Sequence, residues 1–415
     1  MEYRKFAEIP EKVSLLGFGG MRFPVRDDQP ENIVEEGVQA LIDHARERGI
    51  TYFDTAYSYH GGRSEEVLSG ALRKYPRNSY YLADKLPIWL IKEAEDTEKY
   101  FMEQLERCQT EYFDFYLVHS LDRYKYEICE KYHVYDALKR SRSEGRIRHL
   151  GFSFHDTPEI LEKIVSDHAW DFAQIQLNYL DWEMQDAKGQ YEILESRGIP
   201  CIVMEPNRGG ALTSLPESSA KFLKEVHPER SLGSWAIRFA ASKPGVLCVL
   251  SGMESEAVVD ENAATVTGVT PFDEREERAV GQAVDMFLKN KMIPCTGCAY
   301  CRECPKQVNI AKIFAAYNQY LVGKDNFQFY NAYSKLKAEE RAGNCIGCRK
   351  CMEHCPQGIR ISEELDMIQK LVVRINEIRP SNWGRCDGEP VSPCFYLRLP
   401  DRSEYIRIKV RLSSR

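Results

Sequence analysis

Eight short apolar runs in the first 265 residues constrain the fold of this 415-residue chain more than any other feature. Neighbouring runs are separated by stretches long enough for a crossover helix. Their near-continuous apolarity is typical of strands buried on both faces, as in parallel sheets. The candidate strands lie at residues 14–20, 51–56, 80–85, 113–119, 147–154, 171–177, 201–206 and 245–252.

The segments between these runs repeat one unit of helix, glycine and strand. The segment 32–49 has one apolar helix face, predicted to begin at an Asn32 cap and to end at Gly49. Eight such strands predict an α/β fold, a (β/α)8 TIM barrel. The alternative is a doubly wound open sheet, which needs a glycine-rich phosphate turn after its first strand. The segment GFGGMRF lacks that spacing, so the barrel is favoured.

After residue 270 the alternation ends and helical patterns follow. We therefore predict a barrel domain over residues 1–270, a helical domain over 271–380 and a tail of unknown role over 381–415. The tail contains an alternating segment, YIRIKVRL, that indicates a strand. The predicted helices of the second domain lie at residues 271–290, 308–323, 326–343 and 362–378.

Composition limits the classes of partner. A hydrophobic content of 43% with 29% charged residues is ordinary for a globular protein. A formal net charge of −7 argues against a nucleic acid or an anionic membrane as partner. No run approaches the roughly 18 apolar residues of a membrane span, and the start lacks a signal-peptide core. We expect a cytoplasmic protein that acts on a small molecule.

Eight of the fourteen cysteines are crowded into two runs, CTGCAYCRECP and CIGCRKCMEHCP. In two-cluster ferredoxins, three thiolates at this spacing bind one [4Fe–4S] cluster and the fourth, followed by proline, binds the other. Two structural zinc sites are the alternative, but these usually use separated pairs of cysteines. We predict two clusters, one held by Cys295, Cys298, Cys301 and Cys355, the other by Cys345, Cys348, Cys351 and Cys304.

Four polar residues follow successive strands of the predicted barrel. Asp54 closes the second strand, Tyr59 lies in the loop after it, Lys85 ends the third and His119 ends the fourth. All four would face the C-terminal mouth, where barrel enzymes have their active sites. A structural ion pair with a histidine nearby is the alternative for any one of them. Four such residues on one rim favour a catalytic site.

At these residues the chain resembles a known family. The segments FDTAYSYHGGRSEEVLSGAL, ADK, DFYLVHSLD, GFSFH and AQIQLNYLD resemble, in order, the signatures of the aldo/keto reductases. Residues 5–375 resemble the branch of that family with a C-terminal ferredoxin-type domain. The resemblance implies that Asp54, Tyr59, Lys85 and His119 form a catalytic tetrad.

The resemblance also implies a nicotinamide cofactor, NADP or NAD, laid across the barrel mouth. It places Gln174 at the carboxamide, Ser153 after the fifth strand, and Glu261 with Asn262 at the adenine. Arg208 is a candidate contact to a cofactor phosphate, with a solvated loop arginine as the alternative.

Three positions depart from the pattern of the family. Phe154 stands where many relatives carry asparagine, and Met204 or Glu205 stands where a tyrosine often stacks on the nicotinamide. Val258 occupies a position where relatives that bind the NADP 2′-phosphate often have arginine. The choice between NAD and NADP therefore stays open at this point.

The chemistry supports three hypotheses. A lysine ammonium beside a tyrosine favours the phenolate and makes the phenol a better acid, as carbonyl reduction requires. The first hypothesis is therefore a nicotinamide-dependent carbonyl reductase or alcohol dehydrogenase, whose clusters are structural, regulatory or a docking port for a redox protein. Hydride transfer moves two electrons whereas a cluster exchanges one. The second hypothesis has the clusters supply electrons to a substrate in the barrel, and the third is a non-catalytic electron carrier.

Overall fold

The computed structural model describes residues 1–7, 9–27 and 29–378, and the strand segments 395–398 and 405–408. The chain divides into two compact units. The first comprises residues 1–300 with 353–359, and the second comprises 301–352 with the described residues after 359. The predicted domain boundaries at residues 270 and 380 remain predictions.

The first unit is built on a closed barrel of eight parallel strands. All eight predicted strands are confirmed, and the last of them, Val246–Ser251, closes the barrel by pairing with Leu16–Gly19 and Cys201–Met204. A short antiparallel pair, Tyr3–Arg4 with Val13–Ser14, precedes them. The strands are β1 (Tyr3–Arg4), β2 (Val13–Ser14), β3 (Leu16–Gly19), β4 (Tyr52–Asp54), β5 (Tyr81–Leu86), β6 (Phe113–Leu121), β7 (Ile147–Phe154), β8 (Phe172–Gln176), β9 (Cys201–Met204) and β10 (Val246–Ser251).

Helices alternate with the strands of the barrel. They are α1 (Glu35–Glu47), α2 (Ser64–Leu72), α3 (Asp96–Cys108), α4 (Arg123–Lys131), α5 (Val134–Ser143), α6 (Pro158–Asp167), α7 (Asp181–Met184), α8 (Ala187–Ser196), α9 (Glu217–Val226), α10 (Leu232–Ala241), α11 (Glu256–Thr265) and α12 (Glu274–Leu288). Among the described residues, no helix combines the length and apolarity that crossing a membrane requires.

The predicted Asn32 cap of the first helix is wrong. Helix α1 begins at Glu35, and its N-cap residue, Val34, makes no side-chain cap. The residues before it pair with the chain at Pro24 and Arg26 instead: the Val34 amide donates to the Pro24 carbonyl, and the Asn32 carbonyl accepts from the Arg26 amide. Backbone pairing therefore holds residues 32–34 outside the helix.

The interior of the barrel is filled by large side chains. The rings of Tyr52 and Phe115 meet edge to face at 4.9 Å between centroids, and those of Phe115 and Phe172 at 5.2 Å. Ile9 and Val13, from the N-terminal segment, are buried in the same cluster. Because the interior is packed, polar side chains are accommodated at the ends of the strands.

The second unit is helical, as predicted. Its helices are α13 (Ile310–Gly323), α14 (Asn326–Ser334), α15 (Lys350–Glu353) and α16 (Ile361–Ile378). Phe314, Phe329 and Ile368 are buried among them. Helix α14 is shorter than the predicted 326–343, because residues after Ser334 turn and the Lys337 amide donates to the Glu340 side chain. Strand β11 (Phe395–Arg398) pairs antiparallel with β12 (Tyr405–Ile408), where the sequence predicted a strand. The other residues of the tail lie outside the described ones.

Candidate active site

Lys85 stands at the centre of a polar cluster at the C-terminal ends of the strands. Its ammonium donates to Asp54 Oδ1 at 2.5 Å, to the Thr55 carbonyl at 2.7 Å and to the Tyr59 hydroxyl at 3.4 Å. An ammonium has three N–H donors, so these three contacts satisfy it completely. The Lys85 side chain is 0% exposed and that of Asp54 is 4% exposed. The buried charge is thus paired and fixed in one orientation.

His119 completes the group. Its ring lies edge to face with Tyr59, with 5.9 Å between ring centroids, and Trp89 lies on it at 5.2 Å. Nδ1 of His119 is buried and has no hydrogen-bond partner among the described residues. The structure therefore brings together all four side chains that the sequence placed on the rim. Their roles in catalysis remain a proposal.

Burial sets the protonation states of these groups. Desolvation raises the pKa of Tyr59 well above its ordinary value, and the Asp54 carboxylate adds to that rise. Desolvation, followed by the Lys85 charge, holds the pKa of His119 well below its ordinary value. The pKa of Asp54 is raised by burial, and the Lys85 ammonium opposes that rise. At neutral pH, Tyr59 is therefore a phenol with a proton to donate, and His119 is a neutral imidazole.

A cavity of about 670 Å³ opens above this cluster within the first unit. Tyr59, His119 and Asp54 line it, together with four of the five predicted cofactor contacts: Ser153, Gln174, Glu261 and Asn262. A volume of this size suits a cofactor-sized ligand. The cavity thus connects the reactive group with the predicted binding residues along one continuous wall.

Two of these predicted contacts, Ser153 and Gln174, make polar contacts with other residues of the barrel. The Ser153 hydroxyl accepts from the Ser120 amide at 2.6 Å, so this serine in β7 also holds the C-terminal end of β6. Gln174 Nε2 lies 3.6 Å from the Met204 sulfur, and its buried Oε1 has no partner among the described residues. An unpaired buried amide oxygen facing a cavity calls for a donor from a ligand. Gln174 therefore fits a carboxamide such as that of a nicotinamide.

Arg208 does not line the cavity. Its guanidinium is 2% exposed and pairs with Asp181, which is fully buried, at 2.9 Å. It also donates to the Pro294 carbonyl at 3.3 Å, at the start of the first cysteine run. The next residue, Gly209, has a φ of +64°, and a Cβ there would lie 1.8 Å from the Thr296 carbonyl oxygen. Arg208 and Gly209 thus hold the segment 294–296 against the barrel.

The sequence did not single out Tyr300, which lies two residues after Cys298. Its ring lines the cavity and stands edge to face with His119 at 6.5 Å between centroids. Glu205 also lines the cavity, at a φ of +53° and 3.5 Å from Arg22. A lone aromatic between two cysteines carries no sequence signal of its own, and only the fold shows where it points.

Within each unit, cysteines of the two runs lie near one another. In the first unit, burial raises the pKa of Cys298 to about 11, and the neighbouring Cys355 and Cys295 contribute to the rise. In the second unit, burial raises the pKa of Cys351 to about 11, with contributions from Cys345, Cys304 and Cys348. A terminal cysteine of each run therefore lies near cysteines of the other run. No group of three His, Cys, Asp or Glu side chains in the described part of the chain fits a single metal ion.

Two protein-family models match the chain. The model described as "Aldo/keto reductase family" matches residues 15–283, which is more than half of the chain. The chain belongs to the aldo/keto reductase family. A second model, described as "4Fe-4S dicluster domain", matches residues 294–360. The protein is therefore an NAD(P)H-dependent oxidoreductase of the aldo/keto reductase type with a C-terminal 4Fe–4S domain.

Proteins similar to this chain support its assignment to the aldo/keto reductase family. L-galactose dehydrogenase of Arabidopsis thaliana is 28% identical over 294 residues, which cover 64% of this chain and 88% of that protein. An NADH-specific methylglyoxal reductase of Escherichia coli is 29% identical over 197 residues, 42% of this chain and 59% of that protein. The holo form of an aldo-keto reductase from Bacillus halodurans has a TM-score of 0.57 at 24% identity, over 68% of this chain and 96% of that one. The last likeness shows the fold of the aldo/keto reductase barrel.

Proposed function

We propose that the protein reduces a small carbonyl compound, or oxidises the corresponding alcohol, with Tyr59 as the proton donor. The observation that carries this proposal is the Lys85 ammonium, which is buried and bonded at once to Asp54, Thr55 and Tyr59. A charge held in this way makes the Tyr59 phenol a stronger acid at the moment when negative charge develops on the substrate oxygen.

Each member of the tetrad has a distinct role in the proposal. Tyr59 donates its proton to the carbonyl oxygen, and Lys85 stabilises the phenolate that remains. Asp54 holds Lys85 charged and in place. Neutral His119 donates a hydrogen bond to the same carbonyl oxygen and fixes its position. A reduced nicotinamide, when bound, supplies the hydride to the carbonyl carbon.

The cavity wall supports NAD(H) as the preferred cofactor. If the reactive ring of a dinucleotide binds beside Tyr59 and Gln174, the part of the wall that includes Val258 would hold its adenosine end. That end of the wall carries the carboxylates of Glu254 and Glu261. Among the described lining residues, Arg22 is the one arginine or lysine, and it faces Glu205. A 2′-phosphate dianion would meet acidic groups there, and the similar Escherichia coli enzyme is described as NADH-specific.

We assign two [4Fe–4S] clusters to the eight cysteines, with the ligand sets that the spacing predicts: Cys295, Cys298, Cys301 and Cys355 for one, and Cys345, Cys348, Cys351 and Cys304 for the other. In the proposal these clusters have a structural role, since the segment that bears Cys298 also lines the cavity. A redox protein as a partner at the clusters remains a prediction.

Anaerobic purification of the full chain tests this function. Two clusters predict about eight iron atoms and eight sulfides per chain. The same sample is then assayed with benzaldehyde, methylglyoxal and L-galactose, and deuterium transfer from deuterated NADH or NADPH to the alcohol is followed by mass spectrometry. We expect transfer from NADH to at least one aldehyde, and faster transfer than from NADPH. Absence of transfer from either cofactor to every carbonyl tested would refute the proposed function.

A further inference from the structure

The end of the second cysteine run contributes to the wall of the catalytic cavity. Residues 353–359 belong to the first unit. Pro356 and Gln357 of this segment line the cavity together with Tyr59. Both residues lie beyond the family match at residues 15–283, so the part of the chain that matches the reductase family does not supply this part of the wall.

A pair of glutamine amides holds Gln357 in place. Gln357 Nε2 donates to Gln176 Oε1 at 2.9 Å, and Gln357 Oε1 accepts from Gln176 Nε2 at 3.4 Å. Gln357 Oε1 also accepts from Gln185 Nε2. Gln176 is the last residue of β8 and is 3% exposed, so it joins this segment directly to the barrel. The reciprocal bonds fix the plane of the Gln357 amide.

A buried carboxylate determines which way the two amides face. Gln176 Nε2 donates to Asp181 Oδ2 at 2.6 Å, and Arg208 pairs with the same carboxylate at 2.9 Å. A carboxylate only accepts hydrogen bonds, so the NH2 group of Gln176 must face Asp181. The Oε1 atom of Gln176 is then the acceptor that faces Gln357. Gln357 must therefore present its NH2 group to Gln176.

One N–H of Gln357 remains available to a ligand. A glutamine NH2 group has two hydrogens to donate. One of them is bonded to Gln176 Oε1, and the Gln357 nitrogen has no other hydrogen-bond partner in the part of the chain that the structure describes. Because Gln176 and Gln185 already hold the amide, binding a ligand to this donor costs little further side-chain entropy.

The strand register places this donor one layer above the predicted nicotinamide contacts. Ser153 of β7 lies opposite Gln174 of β8, and both line the cavity. Gln176 lies two residues beyond Gln174, on the same face of the strand and about 7 Å nearer the mouth of the barrel. His155, two residues beyond Ser153, also lines the cavity. The layer above the nicotinamide contacts therefore consists of polar side chains: His155, Gln176 and Gln357.

We propose that Gln357 is a specificity-determining residue, which donates a hydrogen bond to a hydroxyl oxygen of the substrate, and that the substrates carry a hydroxyl group beside the carbonyl. This inference rests on the proposed function. The carbonyl must lie against the nicotinamide and Tyr59, so a group on the adjacent carbon meets the polar layer above. In the reaction the carbonyl carbon gains the hydride and its oxygen gains the proton, while the neighbouring hydroxyl group is unchanged.

The test compares lactaldehyde with propanal, which lacks only the hydroxyl group beside the carbonyl, on the full, cluster-loaded chain with NADH. We expect wild-type kcat/KM to favour lactaldehyde at least about tenfold. Gln357→Met, of similar length, should lower kcat/KM for lactaldehyde about fivefold, the scale of one neutral hydrogen bond, and change that for propanal less than about twofold. Gln357→Asn, which draws the same amide back by one methylene, should give the same pattern.

Gln185→Met is the matched control. Gln185 bonds to the same oxygen of Gln357 but is not among the described residues that line the cavity. This variant should keep the wild-type preference for lactaldehyde. Equal losses for both aldehydes in Gln357→Met would overturn the inference, because that pattern indicates that Gln357 only holds the segment in place. A wild type that reduces both aldehydes equally well would also overturn it.

A second measurement does not depend on turnover. Saturation-transfer NMR compares the binding of propane-1,2-diol and propan-1-ol to the anaerobic full chain with NADH, which cannot oxidise these alcohols. We expect wild type to bind the diol about fivefold more tightly, and Gln357→Met to lose that preference. If wild type reduces neither aldehyde, the proposed function fails, and this measurement still decides whether Gln357 recognises a hydroxyl group. Equal binding of the two alcohols to wild type, or a preference for the diol that persists in Gln357→Met, would contradict the inference.

Discussion

The Lys85 ammonium lies 2.5 Å from Asp54 Oδ1 in the interior of the protein, and neither side chain is more than 4% exposed. Asp54→Asn removes the negative charge and leaves Lys85 buried with weaker partners. We expect a loss of about 3–5 kcal/mol in the free energy of unfolding, the range for breaking a buried pair. We also expect kcat to fall about 100-fold, because Lys85 is no longer held against Tyr59.

Asp43→Asn is the matched control for that variant. Asp43 pairs with Lys74 at a similar distance, 2.6 Å, but the lysine is 50% exposed. Such a surface pair contributes less than about 1 kcal/mol. Chemical denaturation and kcat measured on both variants separate the two cases. Equal effects from the two substitutions would contradict the role assigned to Asp54.

The low pKa of His119 makes a prediction about stability at acid pH. Burial lowers the pKa of His119 well below its ordinary value and the pKa of His155 to about 4. Protonation therefore favours the unfolded chain, in which a histidine has a pKa of about 6.5. Stability is fully present above that pH and declines as the pH falls toward the folded-state values, by up to about 1.4 kcal/mol per pH unit for each group.

His119→Gln should remove the part of this loss of stability that comes from His119. Glutamine stays neutral, so between pH 6.5 and pH 5 the free energy of unfolding of the variant should fall less steeply than that of wild type, by about 1.4 kcal/mol per pH unit. His354→Gln is the control, because His354 is exposed. Denaturant titrations at several pH values measure both slopes. Parallel slopes for His119→Gln and wild type would indicate that His119 is charged in the folded state.

Val258 offers a direct test of the cofactor preference. It lines the cavity near Glu261 and Glu254. Val258→Arg adds a cation where an NADP 2′-phosphate would lie, and should tighten NADPH binding about tenfold, or by about 1.4 kcal/mol. Val258→Met, of similar length but neutral, should not. Equilibrium titration of NADH and NADPH gives both dissociation constants, and unchanged NADPH affinity in Val258→Arg would place the adenosine end elsewhere.

The buried pair of Arg208 and Asp181 makes a further prediction. Arg208→Met should lower the free energy of unfolding by about 3–5 kcal/mol, since it leaves Asp181 buried without its cation. The double variant with Asp181→Leu should recover part of that loss. If Arg208 instead binds a cofactor phosphate, Arg208→Met would weaken NADH binding and leave stability intact. Thermal unfolding and cofactor titration on the same samples distinguish the two roles.

Much of this architecture could be predicted from the sequence because it depends on the order of apolar and polar residues within short segments. All eight barrel strands were recognisable from apolar runs, and Asp54, Lys85 and His119 from their places at strand ends. The helix start at Glu35 was missed, because a bridge between Val25 and Ile33 overrides the local cap signal at Asn32. Tyr300 and the pair of Arg208 with Asp181 were missed because each depends on contacts between distant parts of the chain. Patterns of spacing along one segment do not encode such contacts.

Proton donation by Tyr59 is the central claim, and a single turnover of Tyr59→Phe measures it most directly. Cluster-loaded enzyme with deuterated NADH bound is mixed with an aldehyde that wild type reduces, and deuterated alcohol is quantified over time. We predict that transfer falls about 10³-fold, the scale of a lost general acid, while the dissociation constant of NADH stays unchanged. Transfer at the wild-type rate in Tyr59→Phe would contradict the account.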